Sequence, residues 1–239
     1  MLSRVFKLYF GLFLTFLLLI AGKKKAPPAT PYITSFRPGA HYVVLTFENG
    51  PHATITPLLL DILASYQVHA TFFVNGLKAS YHPHLIVRML DEGHDIANYG
   101  LYDKKVAKSS VDSFPMKIES LNYTSNIIHH LTNKRPRFFR PLSIAKNYLD
   151  NPLLEQIRDT LQLTTVWYSI DLTSPKSKYS QNLTETVNNV CRVGDVLAME
   201  DSSKYTLSTL PTLIELLHNQ SFEILTLAQI TSFPDDSSH

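Results

Sequence analysis

The stretch LTFENGP, Leu45–Pro51, decides how the rest of the chain is read. It ends a short β-rich run, Tyr42–Phe47 (YVVLTF), that is a continuous run rather than a strict apolar–polar alternation. That pattern suits a strand covered on both faces. Two polar side chains, Glu48 and Asn49, stand at its end, and Gly50-Pro51 turns the chain there. A covered strand that delivers two polar groups to its tip points to a site at that tip.

The same pattern recurs downstream. Pro57–Tyr66 carries Leu58, Leu59, Ile62, Leu63 and Tyr66 at the spacing of one helix face, with Thr56 as its N-cap. Ala70–Val74 reads as a strand, His84–Glu92 as a helix closed by Gly93, and Asp95–Asn98 as a strand. Val111–Leu131 is a long helix with Pro115 near its start, and Phe138–Arg140 is a short strand. Pro152–Leu161 is a helix capped by Asn151, followed by a strand over Thr165–Ile170 that contains Trp167. Leu183–Cys191 is helical up to Gly194, Val196–Met199 a strand, Leu207–His218 a helix and Glu223–Leu225 the last strand. Seven or so strands, each followed by a helix, predict an α/β fold with a parallel sheet. The expected architecture is one α/β domain over residues 32–233, closed or nearly closed as a barrel. In a barrel the functional groups gather at the C-terminal strand ends.

The termini and composition bound the function further. Arg4 and Lys7 precede an apolar run over residues 8–22, and Lys23, Lys24 and Lys25 follow it. Residues 1–22 therefore read as a secretory signal or an uncleaved signal-anchor, the 15-residue apolar run being shorter than the roughly 20 residues a spanning helix needs. Either implies export, with a membrane contact through this segment if it stays uncut. Residues 23–31 are a basic, proline-rich spacer, and residues 234–239 a disordered tail. A net charge of +2 over 239 residues gives no reason to expect a nucleic-acid partner. Cys191 is the sole cysteine, which excludes an intrachain disulfide framework and a cysteine zinc site.

Polar groups follow several strands: Glu48 and Asn49, Tyr99 to Asp103, Arg140, Asp171, Glu200 and Asp201. Here the chain resembles the polysaccharide deacetylases of carbohydrate esterase family 4. The resemblance rests on VVLTFENGP, ITPLLLDILASYQVHATFFVNG and MLDEGHDIANYG, and more loosely on RFFRP, VWYSID and GDVLAMED. It implies a distorted (β/α) barrel of seven or eight strands and a zinc-type site that removes acetyl groups from N-acetyl sugars. That chemistry needs a metal to polarise the amide and activate water, a carboxylate base, a histidine acid and oxyanion donors.

Residue by residue, the resemblance implies an altered site. The family's first motif is T-F-D-D-G-P, base then metal ligand; here the base position is Glu48 and the ligand position Asn49. The two histidine ligands of the second motif fall on Tyr99 and Asp103. The third motif keeps Arg140 and has Ser143 at its tyrosine position, where the family uses a backbone N–H for the oxyanion. The fourth keeps Asp171 but reads Ser174-Pro175 where the family has Asp-Trp. In the fifth, Ala198 replaces the leucine of the acetyl pocket and Glu200 the catalytic histidine. All three ligand positions and the acid are thus substituted. His41, His52, His94, His129 and His130 lack the ligand spacing.

Three readings follow. The first is a deacetylase-like domain without the family's metal chemistry, serving as a glycan-binding or scaffold protein. The second is a hydrolase acting on N-acetyl sugars through a rebuilt site in which Glu48, Asp103, Asp171 and Glu200 stand around one mouth. Such a carboxylate set suits Mg²⁺, Mn²⁺ or Ca²⁺ rather than zinc. The third is a protein-interaction module.

Overall fold

The computed structural model describes residues 40–101, 114–141 and 152–231, all within the unit Tyr32–His239. The expectations for residues 1–22, 23–31 and 234–239, for the Asn151 cap, and for Asp103 and Ser143 lie outside the described residues.

Among the described residues there are eight strands: β1 (Tyr42–Gly50), β2 (Thr71–Val74), β3 (Asp95–Asn98), β4 (Phe138–Phe139), β5 (Thr164–Thr165), β6 (Ile170–Asp171), β7 (Val196–Glu200) and β8 (Glu223–Leu225). Every pairing is parallel. The strand order is β5-β4-β3-β2-β1-β7-β6, with β8 paired to the first residues of β1. Between the strands run α1 (Thr56–Ser65), α2 (Gly76–Tyr81), α3 (Pro83–Asp91), α4 (Phe114–Thr132) and α5 (Pro152–Leu161). They are followed by α6 (Leu183–Glu185), which continues as a π turn over Thr186–Val190, then α7 (Lys204–Asn219) and α8 (Leu227–Thr231). The expected α/β barrel is therefore present.

The ends of the strand path, β5 and β6, are neighbours in sequence. The run read as one strand over Thr165–Ile170 is split between them, and Trp167 belongs to neither. The reason lies in its hydrogen bonds. Val166 N–H donates to Phe139 O at 2.9 Å, whereas Ser169 N–H donates to Val196 O at 3.0 Å. The chain crosses the barrel seam here, pairing with one neighbour and then the other.

Helix α1 also departs from expectation. Leu59, Leu60 and Leu63 are buried while Leu58 is exposed, so the apolar face is rotated from the one read in the sequence. Residue Thr56 is not the N-cap; that position is Ile55, without a side-chain cap. The Thr56 hydroxyl instead donates to Asp201 and accepts from His52 N–H at 2.6 Å. A partner 145 positions away has taken the local capping group.

Strand β1 organises the core. Val43, Leu45 and Phe47 join the large cluster between sheet and helices. Tyr42 and Val44 belong to an inner cluster with Phe73, Ala97, Tyr99, Phe138 and Leu225. Burying each large side chain contributes about 1.5–3 kcal/mol. Because a strand's side chains alternate with period two, Thr46 and Glu48 continue the inner row. Phe138 to Arg140 and Val196 through Ala198 to Glu200 share that parity on β4 and β7. The inner row is apolar low in the barrel and becomes polar at the C-terminal strand ends.

Candidate functional site

Two groups of side chains form at those ends. In the inner group, Tyr99 O–H donates to Glu48 Oε1 at 3.0 Å, and Arg140 Nη1 lies 3.5 Å from Glu48 Oε2. Arg140 Nη1 also donates to Thr46 Oγ1 at 2.9 Å, and Thr46 Oγ1 in turn donates to Leu197 O at 2.8 Å. The guanidinium lies over the Phe73 ring at 4.1 Å and near the Tyr168 ring at 5.4 Å. Glu48, Tyr99 and Arg140 are each only 1% exposed. Burial, then the charges of Glu48 and Glu200, holds the Tyr99 phenol far above its ordinary value, so it stays a neutral donor. Burial lowers Arg140, opposed by Glu48. A buried charge needs such a partner, because an isolated one is costly.

The rim group begins one residue later. Asn49 has φ +65°, the left-handed region that asparagine tolerates better than most residues. The β1–β2 register shifts between Glu48 and Gly50, so this residue breaks the strand's alternation. Its Nδ2 donates to Glu200 Oε1 at 2.9 Å, and Ser202 Oγ donates to the same oxygen at 3.1 Å. The Lys78 ammonium donates to Asn49 O at 2.7 Å and to Asn49 Oδ1 at 3.2 Å. Behind the turn Asp201 N–H donates to Glu48 O at 3.0 Å. The Asp201 carboxyl is buried and pushed up to about 7, chiefly by burial, with the Thr56 hydroxyl opposing and the Glu200 charge adding. Gly50 is required there, since a Cβ would lie 1.9 Å from Asp201 Oδ2.

Of the candidate residues, the structure brings Glu48, Tyr99 and Arg140 into one contact set, and Asn49 and Glu200 into another. Ala198 is buried on the inner row of β7, in register with Thr46. Asp171 makes local bonds: its Oδ1 accepts from Thr173 N–H at 2.9 Å and Thr173 Oγ1 at 2.7 Å. Asp103 and Ser143 are not described, so of the four carboxylates Glu48, Asp171 and Glu200 are placed, each with its own partners.

Lys78 and Thr46 were not anticipated as parts of the site, and Asp201 was read only as a polar group after β7. The sequence signal for Lys78 is its place in VNGLKAS, just past a strand that ends at the same mouth.

The donor chemistry does not fit the zinc that the family implies. Asn49 Oδ1 faces an ammonium, its Nδ2 is a donor, and Tyr99 presents a neutral phenol whose O–H donates a hydrogen bond to Glu48. Ligands of that kind are poor for zinc, which takes thiolate, imidazole or carboxylate. Among the described residues no group of three or more His, Cys, Asp or Glu side chains could hold a metal ion.

The chain is a parallel α/β barrel with polar residues gathered at its C-terminal strand ends, where such barrels carry their functional groups. The sequence model of the polysaccharide deacetylase family matches residues 37–149. The chain is 25% identical over 193 residues to the peptidoglycan-N-acetylmuramic acid deacetylase PdaC of Bacillus subtilis, covering 81% of this chain and 39% of that protein. A peptidoglycan-N-acetylglucosamine deacetylase of Bacillus cereus is 25% identical over 218 residues, covering 88% of this chain and 98% of that protein. The fold is shared with a crystal structure described as a CE4 family pseudoenzyme from Bacillus anthracis. That match has a TM-score of 0.69 and 21% identity, covering 87% of this chain and 70% of that one. The chain thus spans about two-fifths of PdaC.

Proposed function

We propose that this protein keeps the deacetylase barrel but not its metal-dependent amide hydrolysis, and that it acts on the wall side as a glycan-binding or scaffold domain. One observation carries the reading: at the first ligand position, Asn49 directs its carbonyl oxygen to the Lys78 ammonium and its amide N–H to Glu200. The base position supports it. Glu48 is buried and engaged by Tyr99 and Arg140, so its carboxylate serves as their partner. Glu200, where the family has its acid histidine, accepts from Asn49 and Ser202. The names of the relatives suggest N-acetylated polymers such as peptidoglycan as the ligand class. The basic-apolar-basic pattern over residues 4–25 suggests delivery outside the cytoplasm. Among the described residues no helix is long and apolar enough to cross a membrane.

The test is acetate release from N-acetylated chito-oligosaccharides and peptidoglycan fragments by the full-length chain supplied with zinc. No release above the enzyme-free rate is expected. Release that a chelator abolishes would overturn the reading. A second reading, hydrolysis through a rebuilt carboxylate pair, draws on Asp201, whose carboxyl is held near 7 next to Glu200. It predicts release that a chelator leaves untouched and Glu200→Gln removes.

A further inference from the structure

The rim contains a cation of its own. Lys78 Nζ contacts both oxygens of Asn49, the backbone carbonyl at 2.7 Å and Oδ1 at 3.2 Å. The lysine is not a mobile surface chain that happens to reach the turn. It sits in the first turn of α2, where Asn75 Oδ1 accepts from the Lys78 N–H at 3.1 Å. Asn75 is itself tied to the β1 turn, donating its N–H to Gly50 O at 2.7 Å. Gly76 N–H donates to Gly100 O at 2.9 Å, joining the same helix start to the loop after β3. Gly76 also lets α2 approach α4, since a Cβ there would lie 2.4 Å from Thr124 Oγ1. Backbone and side chain of this helix start are thus both fixed to the segment that bears Asn49.

The charges around the mouth make sense of this. Glu48 has the Arg140 guanidinium. Glu200 and Asp201 follow on β7 and the turn after it, and the Lys78 charge acts on Asp201. We propose that the Lys78 ammonium is the resident cation of this strand-end site, holding the Asn49 oxygens and neutralising the rim acids in the place a divalent ion would need. This rests on the reading that the family's metal chemistry is absent, and it adds a cause: the site is occupied by a side chain rather than merely short of ligands. An ammonium and a divalent cation cannot share the same two oxygens, and their like charges repel.

The test uses full-length variants and cobalt(II), whose visible absorption reports coordination independently of activity. One variant carries Asn49→Asp and Tyr99→His, which return an anionic and an imidazole donor. The other adds Lys78→Met, which keeps the stem and removes the charge. Cobalt affinity should be at least about ten-fold higher in the triple variant than in the double, as removal of one adjacent like charge requires. Equal affinity in the two overturns the proposal. As a second measurement that needs no rebuilt ligands, Lys78→Met alone should lower Tm, and Lys78→Arg should restore most of the loss. A Tm unchanged by Lys78→Met, or lowered equally by Lys78→Arg, also counts against it. These outcomes separate from the functional reading. A wild type that releases acetate with zinc removes the reading itself, whereas an inert wild type with equal cobalt affinities removes only the role of Lys78.

Discussion

The inner group and the rim group are separated by one residue of β1, yet they are built on different principles. Glu48 points inward, where Tyr99, Arg140 and Thr46 surround it in a buried, hydrogen-bonded set. Asn49 turns outward on a left-handed backbone and meets Lys78 and Glu200 at a partly buried edge. The inner set resembles a structural ion pair: its charges match, it is buried, and loss of any member strands another. The rim keeps the geometry of a ligand-bearing turn but fills it with an amide and an ammonium. On the proposed reading the fold needs no metal, because the two groups do not depend on the same charge.

The sharpest way to break this comparison is to remove the inner cation. Arg140→Met leaves Glu48 buried without its guanidinium and should cost about 3–5 kcal/mol in urea unfolding, the range for breaking a buried pair. A cost below about 1 kcal/mol, the surface-pair range, would mean that the inner group is not the stabilising one.

A second prediction concerns pH. The Asp201 carboxyl is raised from 3.8 to about 7 in the folded chain. The folded chain keeps a proton that the unfolded chain releases, so this residue's contribution falls as pH rises from about 4 to about 7. Asp201→Asn is neutral throughout. Its stability relative to wild type should therefore rise with pH across that window, by up to about 1.4 kcal/mol per unit. His94 acts in the opposite sense. Burial, then the charges of His69 and Arg88, lowers it to about 4, so its contribution is lost as pH falls from about 6.5 to about 4. The wild-type profile should then be flatter between about 4 and 6.5 than that of Asp201→Asn, as urea unfolding at stepped pH would show.

The smallest expected effect is at the rim. Lys78 is only half-buried, so solvent screens its contacts. Lys78→Met should cost about 0.2–1 kcal/mol in the same unfolding assay. A loss equal to that of Arg140→Met would erase the distinction between the two groups.

Much of the inner group was legible in the sequence, because strand ends and family motifs both select Glu48, Tyr99 and Arg140. The strand Asp95–Asn98 and the helix Pro152–Leu161 have the bounds read from local pattern. The rim was less legible. Helix α2 spans six residues, too few to show a helical period, so the only sign of Lys78's destination was its place just past β2. Thr56 reads locally as a cap, but Asp201 claims its hydroxyl from the far end of the domain. Thr165–Ile170 has the composition of a strand, and only the seam between β4 and β7 divides it. In each case the deciding partner is distant in sequence, where periodicity and capping rules do not reach.

The central claim is that this barrel does not take up the family's metal. Its most direct test is the zinc content of the full-length wild-type chain after dialysis against zinc and removal of free ion, measured by elemental analysis. The account predicts far less than one zinc per chain. One zinc per chain, lost in Asn49→Ala, would contradict it.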